Sequence, residues 1–193
     1  MDFELWGLKI HLDITFFAVL GIFLYLGVSS NLWWMLSALL LHETGHLLAA
    51  LITGIKMKVL SFSCFGIRLV RESGIMISPK RELLVYLGGP VMNLCCFLLL
   101  WCLGKEVLCI IHLLLGLFQL LPIGALDGGC MLRLLLQQCV SPEKTDGVEI
   151  LVSGLALLPL FWLGIRLVQT EKHNFTLLIC CVFLLLTILK EKF

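Results

Sequence analysis

Charged residues are scarce in this sequence: they fill 14% of its 193 positions, hydrophobic residues fill 60%, and the mean hydropathy is +1.06. So little polar surface cannot clothe a water-soluble domain, which leaves a polytopic membrane protein. An excess of either sign is missing too, and a net charge of +1 gives no electrostatic footprint for a nucleic-acid partner. There are nine cysteines but no CxxC pair. Most of them lie in apolar runs, where cysteine acts as a small hydrophobe; zinc ligation and disulfides are the lesser alternatives. Repeats, low-complexity tracts and linkers are absent, so residues 1–193 are expected to form one integral-membrane domain with no separate soluble domain. The opening MDFELW lacks the basic region of a secretory signal, and the first apolar run is expected to stay as a span.

What is present is a series of six apolar segments: Ile14–Val28, Leu32–Ile52, Leu83–Leu103, Val107–Cys139, Val148–Val168 and Phe175–Leu189. A span needs about 20 helical residues, so the first and last are short and call for local thinning or snorkelling lysines. The fourth is too long for one straight helix and contains Pro122, Gly124, Gly128 and Gly129. It is expected to be a broken helix, and irregular backbone at membrane depth is tolerated only beside protein or a water-filled cavity. Between the second and third segments, Ile55–Ser78 alternates apolar and polar residues around Gly66, the pattern of two or three short strands at the membrane surface. The expected fold is therefore all-α and polytopic, with six transmembrane helices, a broken fourth span and a small β-hairpin after the second.

Lysine and arginine set the orientation. With six spans, Lys105, Arg166 and Lys172 fall on one side and the other eleven of the 14 basic residues on the opposite side. Both termini and the Ile55–Ser78 loop are then cytoplasmic. The basic residues of that loop serve either as this positive-inside signal or in meeting a substrate, since an exposed strand edge can pair with an extended peptide.

The second segment holds LHETGHLLAA, residues 41–50. Ionisable groups at bilayer depth are costly and mark function. A helix puts His42 and His46, four residues apart, on one face, where they can share a metal ion. Glu43, beside the first of them, is placed to move a proton of metal-activated water. Zinc suits this set. The alternative, a hydrogen-bonded polar pair holding helices together, fits a mid-membrane cluster of three such groups poorly. Gly45 and Ala49 leave room for another backbone to approach. A third ligand is needed, and Asp127 is the best choice as the one acid within the fourth segment. Alone it reads equally well as a helix N-cap; together with HETGH it reads as a ligand. His112, fifteen residues before Asp127, is expected to be a packing histidine.

HETGH, GGPVMN at 88–93 and LPIGALDGG at 121–129, with LKIH at 8–11, resemble the site-2 protease family of intramembrane zinc metallopeptidases over the first four segments. Six spans and brevity are most similar to the bacterial stage IV sporulation protein FB branch. The resemblance implies that His42, His46 and Asp127 bind one zinc ion per chain and that Glu43 is the catalytic base. It further implies that the chain sits in a bacterial cell membrane and cuts a peptide bond in or beside the bilayer. The substrate would be a membrane-associated protein, in the sporulation branch a sigma-factor precursor, and an inhibitory membrane partner is a further expectation. Gln119 stands where the family carries Asn, and Ala125 where a second Pro is frequent. Gln119, Pro122 and Gly128 are the candidate substrate-binding residues, and Gly88, Gly89, Pro90 and Asn93 read as helix-packing residues. Two other readings compete: a non-catalytic relative serving as a membrane scaffold, and a zinc transporter with the same ligands, which has no need of Glu43.

Overall fold

A computed structural model describes residues 2–5, 8–14, 29–63, 66–71, 77–170 and 175–190. The described residues form two compact units, Met1–Phe118 and Gln119–Phe193. The described residues are mostly helical, and among them three helices are long and apolar enough to cross a membrane: Leu32–Thr53, Pro79–Cys102 and Lys144–Thr170. Two shorter apolar helices accompany them, Glu106–Gln119 and Thr176–Leu189. The expected first span, Ile14–Val28, lies outside the described residues except for Ile14.

The first unit begins with strands β1 (Asp2–Leu5) and β2 (Leu8–Leu12), followed by helix α1 (Ser29–Thr53). Strands β3 (Met57–Ser63) and β4 (Gly66–Arg71) come next, then helices α2 (Pro79–Cys102) and α3 (Glu106–Gln119). The strands make one sheet in the order β1-β2-β3-β4, with β2 parallel to β3 and the outer pairs antiparallel. This corrects the all-α expectation, which allowed only strands from Ile55–Ser78. The alternation that builds β1 and β2 is present in FEL and LKIHL, but those residues lie too close to an apolar run to stand out as strands. Glu4 faces Lys9 across β1 and β2, a favourable cross-strand charge pairing. Residues 72–76 of the Ile55–Ser78 loop, where a third strand was expected, lie outside the described residues.

Apolar composition carries α1 through its length, and its hydroxyls bond back to the helix: Thr44 Oγ1 donates to the Leu41 carbonyl at 2.7 Å and Thr53 Oγ1 to that of Ala49 at 2.7 Å. Such bonds satisfy hydroxyls that have no water at membrane depth. The helix stops at Gly54, whose φ of 73° few other residues adopt. There the Gly54 N–H donates to Leu51 O and the Ile55 N–H to Ala50 O, which closes the helix end with its own orphan carbonyls.

α1 and α2 cross backbone to backbone. A Cβ at Gly45 would collide with the Gly88 carbonyl, and one at Gly88 would lie 2.5 Å from the Gly45 carbonyl oxygen and 2.8 Å from the Ala49 Cβ. The small residues Gly45 and Ala49 thus do what their spacing predicts.

The second unit contains helices α4 (Asp127–Cys139), α5 (Pro142–Thr170) and α6 (Thr176–Lys190). Before α4, residues 120–126 form a tight irregular turn in which the Ile123 N–H donates to Leu121 O and the Leu126 N–H to Ile123 O. Pro122 and Gly124 of the fourth apolar segment lie in this turn. Gly128 and Gly129, however, lie inside α4, and their role is close approach: a Cβ on Gly128 would strike the Leu120 carbonyl and one on Gly129 the Ile123 carbonyl. Ser153 of α5 pins the turn by accepting from the Gly124 N–H at 3.2 Å and donating to the Pro122 carbonyl at 3.3 Å. Arg133 ties α4 to α5 through Asp146 at 3.3 Å and Glu149 at 3.5 Å.

Candidate metal centre

Helical periodicity puts His42 and His46 on the face of α1 that meets α2. Both are buried, at 0% and 6% exposure, and Glu43 is nearly so at 7%. The two imidazoles stand edge to face, their centroids 4.7 Å apart. Their Nε2 atoms converge to 3.1 Å. Two nitrogens at that separation can each stand about 2.0–2.1 Å from one shared point, the bond length of zinc to histidine.

The other ring nitrogens are held by α2. His46 Nδ1 lies 2.7 Å from the Val85 carbonyl oxygen, which can only accept. His46 therefore carries its proton on Nδ1 and presents a lone pair at Nε2. An outer hydrogen bond of this kind is what orients a metal-binding imidazole. His42 Nδ1 lies 3.1 Å from the Asn93 side-chain amide, and Asn93 has no exposed surface. Gly89 completes the seat: a Cβ there would lie 2.5 Å from His42 Cε1, 2.5 Å from His46 Nε2 and 2.6 Å from His42 Nε2. Only glycine leaves these rings where they are. The donor set, the converging lone-pair positions and this glycine fit a small divalent cation with a preference for nitrogen.

Asp127 is the first residue of α4, and the N-cap position belongs to Leu126, which makes no side-chain cap bond. The Asp127 carboxylate at the first turn of a helix, where backbone N–H groups point outward, is in a favourable field for a negative charge. Gln119 ends α3, and its Oε1 is buried with no hydrogen-bond partner among the described residues. Pro122 lies in the turn before α4, and Gly128 is buried against it.

Gly89 and Asn93 do more than pack helices, as the sequence reading had them: one makes room for the ligand rings and the other contacts one of them. His112 of α3, 5% exposed, joins the same cluster through Asn93. The available signal was polarity, since Asn93 and His112 interrupt otherwise apolar helices. Their partner could not be read from sequence because nothing local fixes which helix faces which.

No family model matches the chain. A protein of Synechocystis sp. that bears the name zinc metalloprotease is 29% identical over 179 residues, 76% of this chain and 46% of the relative. A zinc metalloprotease of Methanocaldococcus jannaschii is 28% identical over 156 residues, 70% of this chain and 45% of the relative. The chain thus spans somewhat under half the length of these relatives. Among solved structures, a site-2 protease from Methanocaldococcus jannaschii superposes with a TM-score of 0.72 at 22% identity, covering 99% of this chain and 94% of that one. The fold of this chain is of that type.

Proposed function

We propose that this chain is an intramembrane zinc metalloendopeptidase of the site-2 protease family that hydrolyses a peptide bond of a membrane-associated protein within or next to the bilayer. The observation that carries the reading is the buried His42–His46 pair, with converging Nε2 atoms and Glu43 beside it, in a helix apolar enough to cross a membrane. The names of the two sequence relatives and the likeness of fold support it.

In this reading His42 Nε2, His46 Nε2 and an Asp127 oxygen hold one zinc ion per chain. Bound zinc supplies electrophilic polarisation of the scissile carbonyl and acidifies the attacking water. Glu43 would take a proton from the attacking water and pass it to the departing amide nitrogen as the C–N bond breaks, so the carboxylate ends the cycle as it began. Gln119, Pro122 and Gly128 receive the substrate. The unpartnered Gln119 Oε1 is an acceptor that a substrate backbone N–H can satisfy, because a buried acceptor left unmade is costly. The substrate must leave its own helix for its carbonyls to be reached. Pairing with an edge of the four-stranded sheet gives its freed backbone groups partners.

The finer reading has six spans, a fourth span broken at 120–126 and both termini in the cytoplasm of a bacterial cell. The eleven-to-three split of basic residues supports that orientation. A sigma-factor precursor of sporulation is the substrate we propose to try first.

The test is co-expression of the full chain with candidate membrane-associated precursors, wild type against Glu43→Gln, with zinc content measured on both purified proteins. Cleavage is expected to disappear in the variant while zinc stays. Cleavage that persists in Glu43→Gln removes the assigned base.

A further inference from the structure

A line of buried polar side chains runs from α3 to α2, and the proposed chemistry uses only part of it. The Asn93 carboxamide bridges two imidazoles, its Nδ2 lying 3.1 Å from His42 Nδ1 and its Oδ1 lying 3.1 Å from His112 Nδ1. Gly116 stands one helical turn after His112, and a Cβ there would come within 3.2 Å of the Asn93 Cβ. The glycine lets α3 approach α2 closely enough for the imidazole to reach the amide.

An amide nitrogen only donates, and an amide oxygen only accepts. The contacts therefore read in one direction. His112 Nδ1–H donates to Asn93 Oδ1, and Asn93 Nδ2–H donates to His42 Nδ1. His42 Nε2–H then donates to His46 Nε2, and His46 Nδ1–H to the Val85 carbonyl.

A cation shared by His42 and His46 needs a lone pair on both Nε2 atoms. His46 presents one in this arrangement. A neutral His42 presents one only with its proton on Nδ1, and that proton needs an acceptor where Asn93 Nδ2 stands. A half-turn of the carboxamide brings Oδ1 to that place and turns Nδ2 toward His112. His112 Nδ1 must then accept, with its own proton on Nε2. Imidazole is suited to this position because either tautomer is open to it.

We propose that His112 is a positioning residue for the metal centre: through Asn93 it sets the sense of the amide, hence the His42 tautomer and the hold of the His42–His46 pair on zinc. The inference rests on the reading of that pair as zinc ligands. Asparagine suits the place between the rings because a half-turn of its carboxamide offers a donor or an acceptor at the same distance from each partner.

The test is zinc affinity of the full chain in detergent, by competition with a chromophoric chelator. His112→Phe is expected to weaken zinc by about 10- to 100-fold, the usual effect of losing an outer partner of a metal-binding histidine. His112→Asn, whose amide sits at the place of Nδ1, is expected to stay near wild type. Asn93→Asp supplies a carboxylate that accepts from His42 Nδ1 whatever stands at 112. On that background His112→Phe is expected to change zinc affinity by no more than about twofold, the scatter of independent sites. An unchanged affinity in His112→Phe, or an equal loss on both backgrounds, overturns the inference, since a packing role would survive the change at Asn93. If the Phe variant does not fold, the same cycle is run with His112→Leu and judged by the same outcomes. A wild-type chain that takes up no zinc overturns both this inference and the reading beneath it. A wild-type chain that holds zinc, with no coupling between positions 93 and 112, overturns this inference alone.

Discussion

His42 and His46 stand on an unbroken helix whose backbone touches that of its neighbour at Gly45 and Gly88, whereas Asp127 opens a helix that follows the irregular turn 120–126. The histidines are set by periodicity: once α1 is helical, an i, i+4 pair shares a face, and a crossing of small residues presses that face on α2. Position there is stored in close packing. Asp127 is set by hydrogen bonds from far along the chain, since Ser153 of α5 holds the turn through Gly124 and Pro122. The histidine pair and the aspartate of one proposed centre thus depend on different forces, and substitutions can separate them.

The largest expected effect is on the histidine side. Gly89→Ala places a methyl group 2.5 Å from ring atoms of both His42 and His46, so the rings must part. Zinc affinity, measured by chelator competition, is expected to fall by at least about 10-fold, the lower bound for disturbing a ligand's surroundings. If the alanine variant binds zinc as wild type does, the rings are not held by packing.

Gly45→Ala comes next. Its methyl group meets the Gly88 carbonyl across the helix crossing, and overpacking of this kind costs about 1–3 kcal/mol. A lower thermal midpoint of the purified protein is the readout. An unchanged midpoint means that the crossing is loose and the contrast with the Asp127 region is false.

On the aspartate side Ser153→Ala removes the acceptor of the Gly124 N–H and the donor to the Pro122 carbonyl. The expected loss is roughly 1–2 kcal/mol, the worth of ordinary hydrogen bonds with one donor left unmet. Zinc should weaken with it, if Asp127 depends on the turn. A drop in stability with zinc affinity untouched would detach the turn from the ligand and sharpen the comparison against us.

The smallest effect has the opposite sign. Gly154 lies within α5 and a Cβ there would meet nothing within 4 Å, so Gly154→Ala should stabilise by up to about 1 kcal/mol through helix propensity. A rise in the thermal midpoint, beside the fall for Gly45→Ala, separates glycines that serve contact from those that do not.

Much of the candidate metal centre was legible because it is local. His42, Glu43 and His46 lie within five residues, and helix geometry alone converges the two imidazoles. The small residues of α1 announced a crossing in the same way. The strands β1 and β2 were not recognised, although FEL and LKIHL alternate, because they adjoin an apolar run and because the pairing that joins β2 to β3 crosses the whole of α1 in sequence. Asp127 was found by its rarity in an apolar run, but whether it caps or ligates is not a local question, and the N-cap turned out to be Leu126.

The sequence by itself determined a helical membrane protein with two histidines on one face of an apolar helix and a carboxylate beside them, since composition and a 3.6-residue period act over a few turns. Tertiary structure alone decided what stands behind those histidines. Val85, Gly89 and Asn93 reach them from α2, and His112 of α3 reaches Asn93. Ring orientation and tautomer are set by hydrogen bonds across helix crossings, and no period within one segment encodes which residue of another segment it will meet.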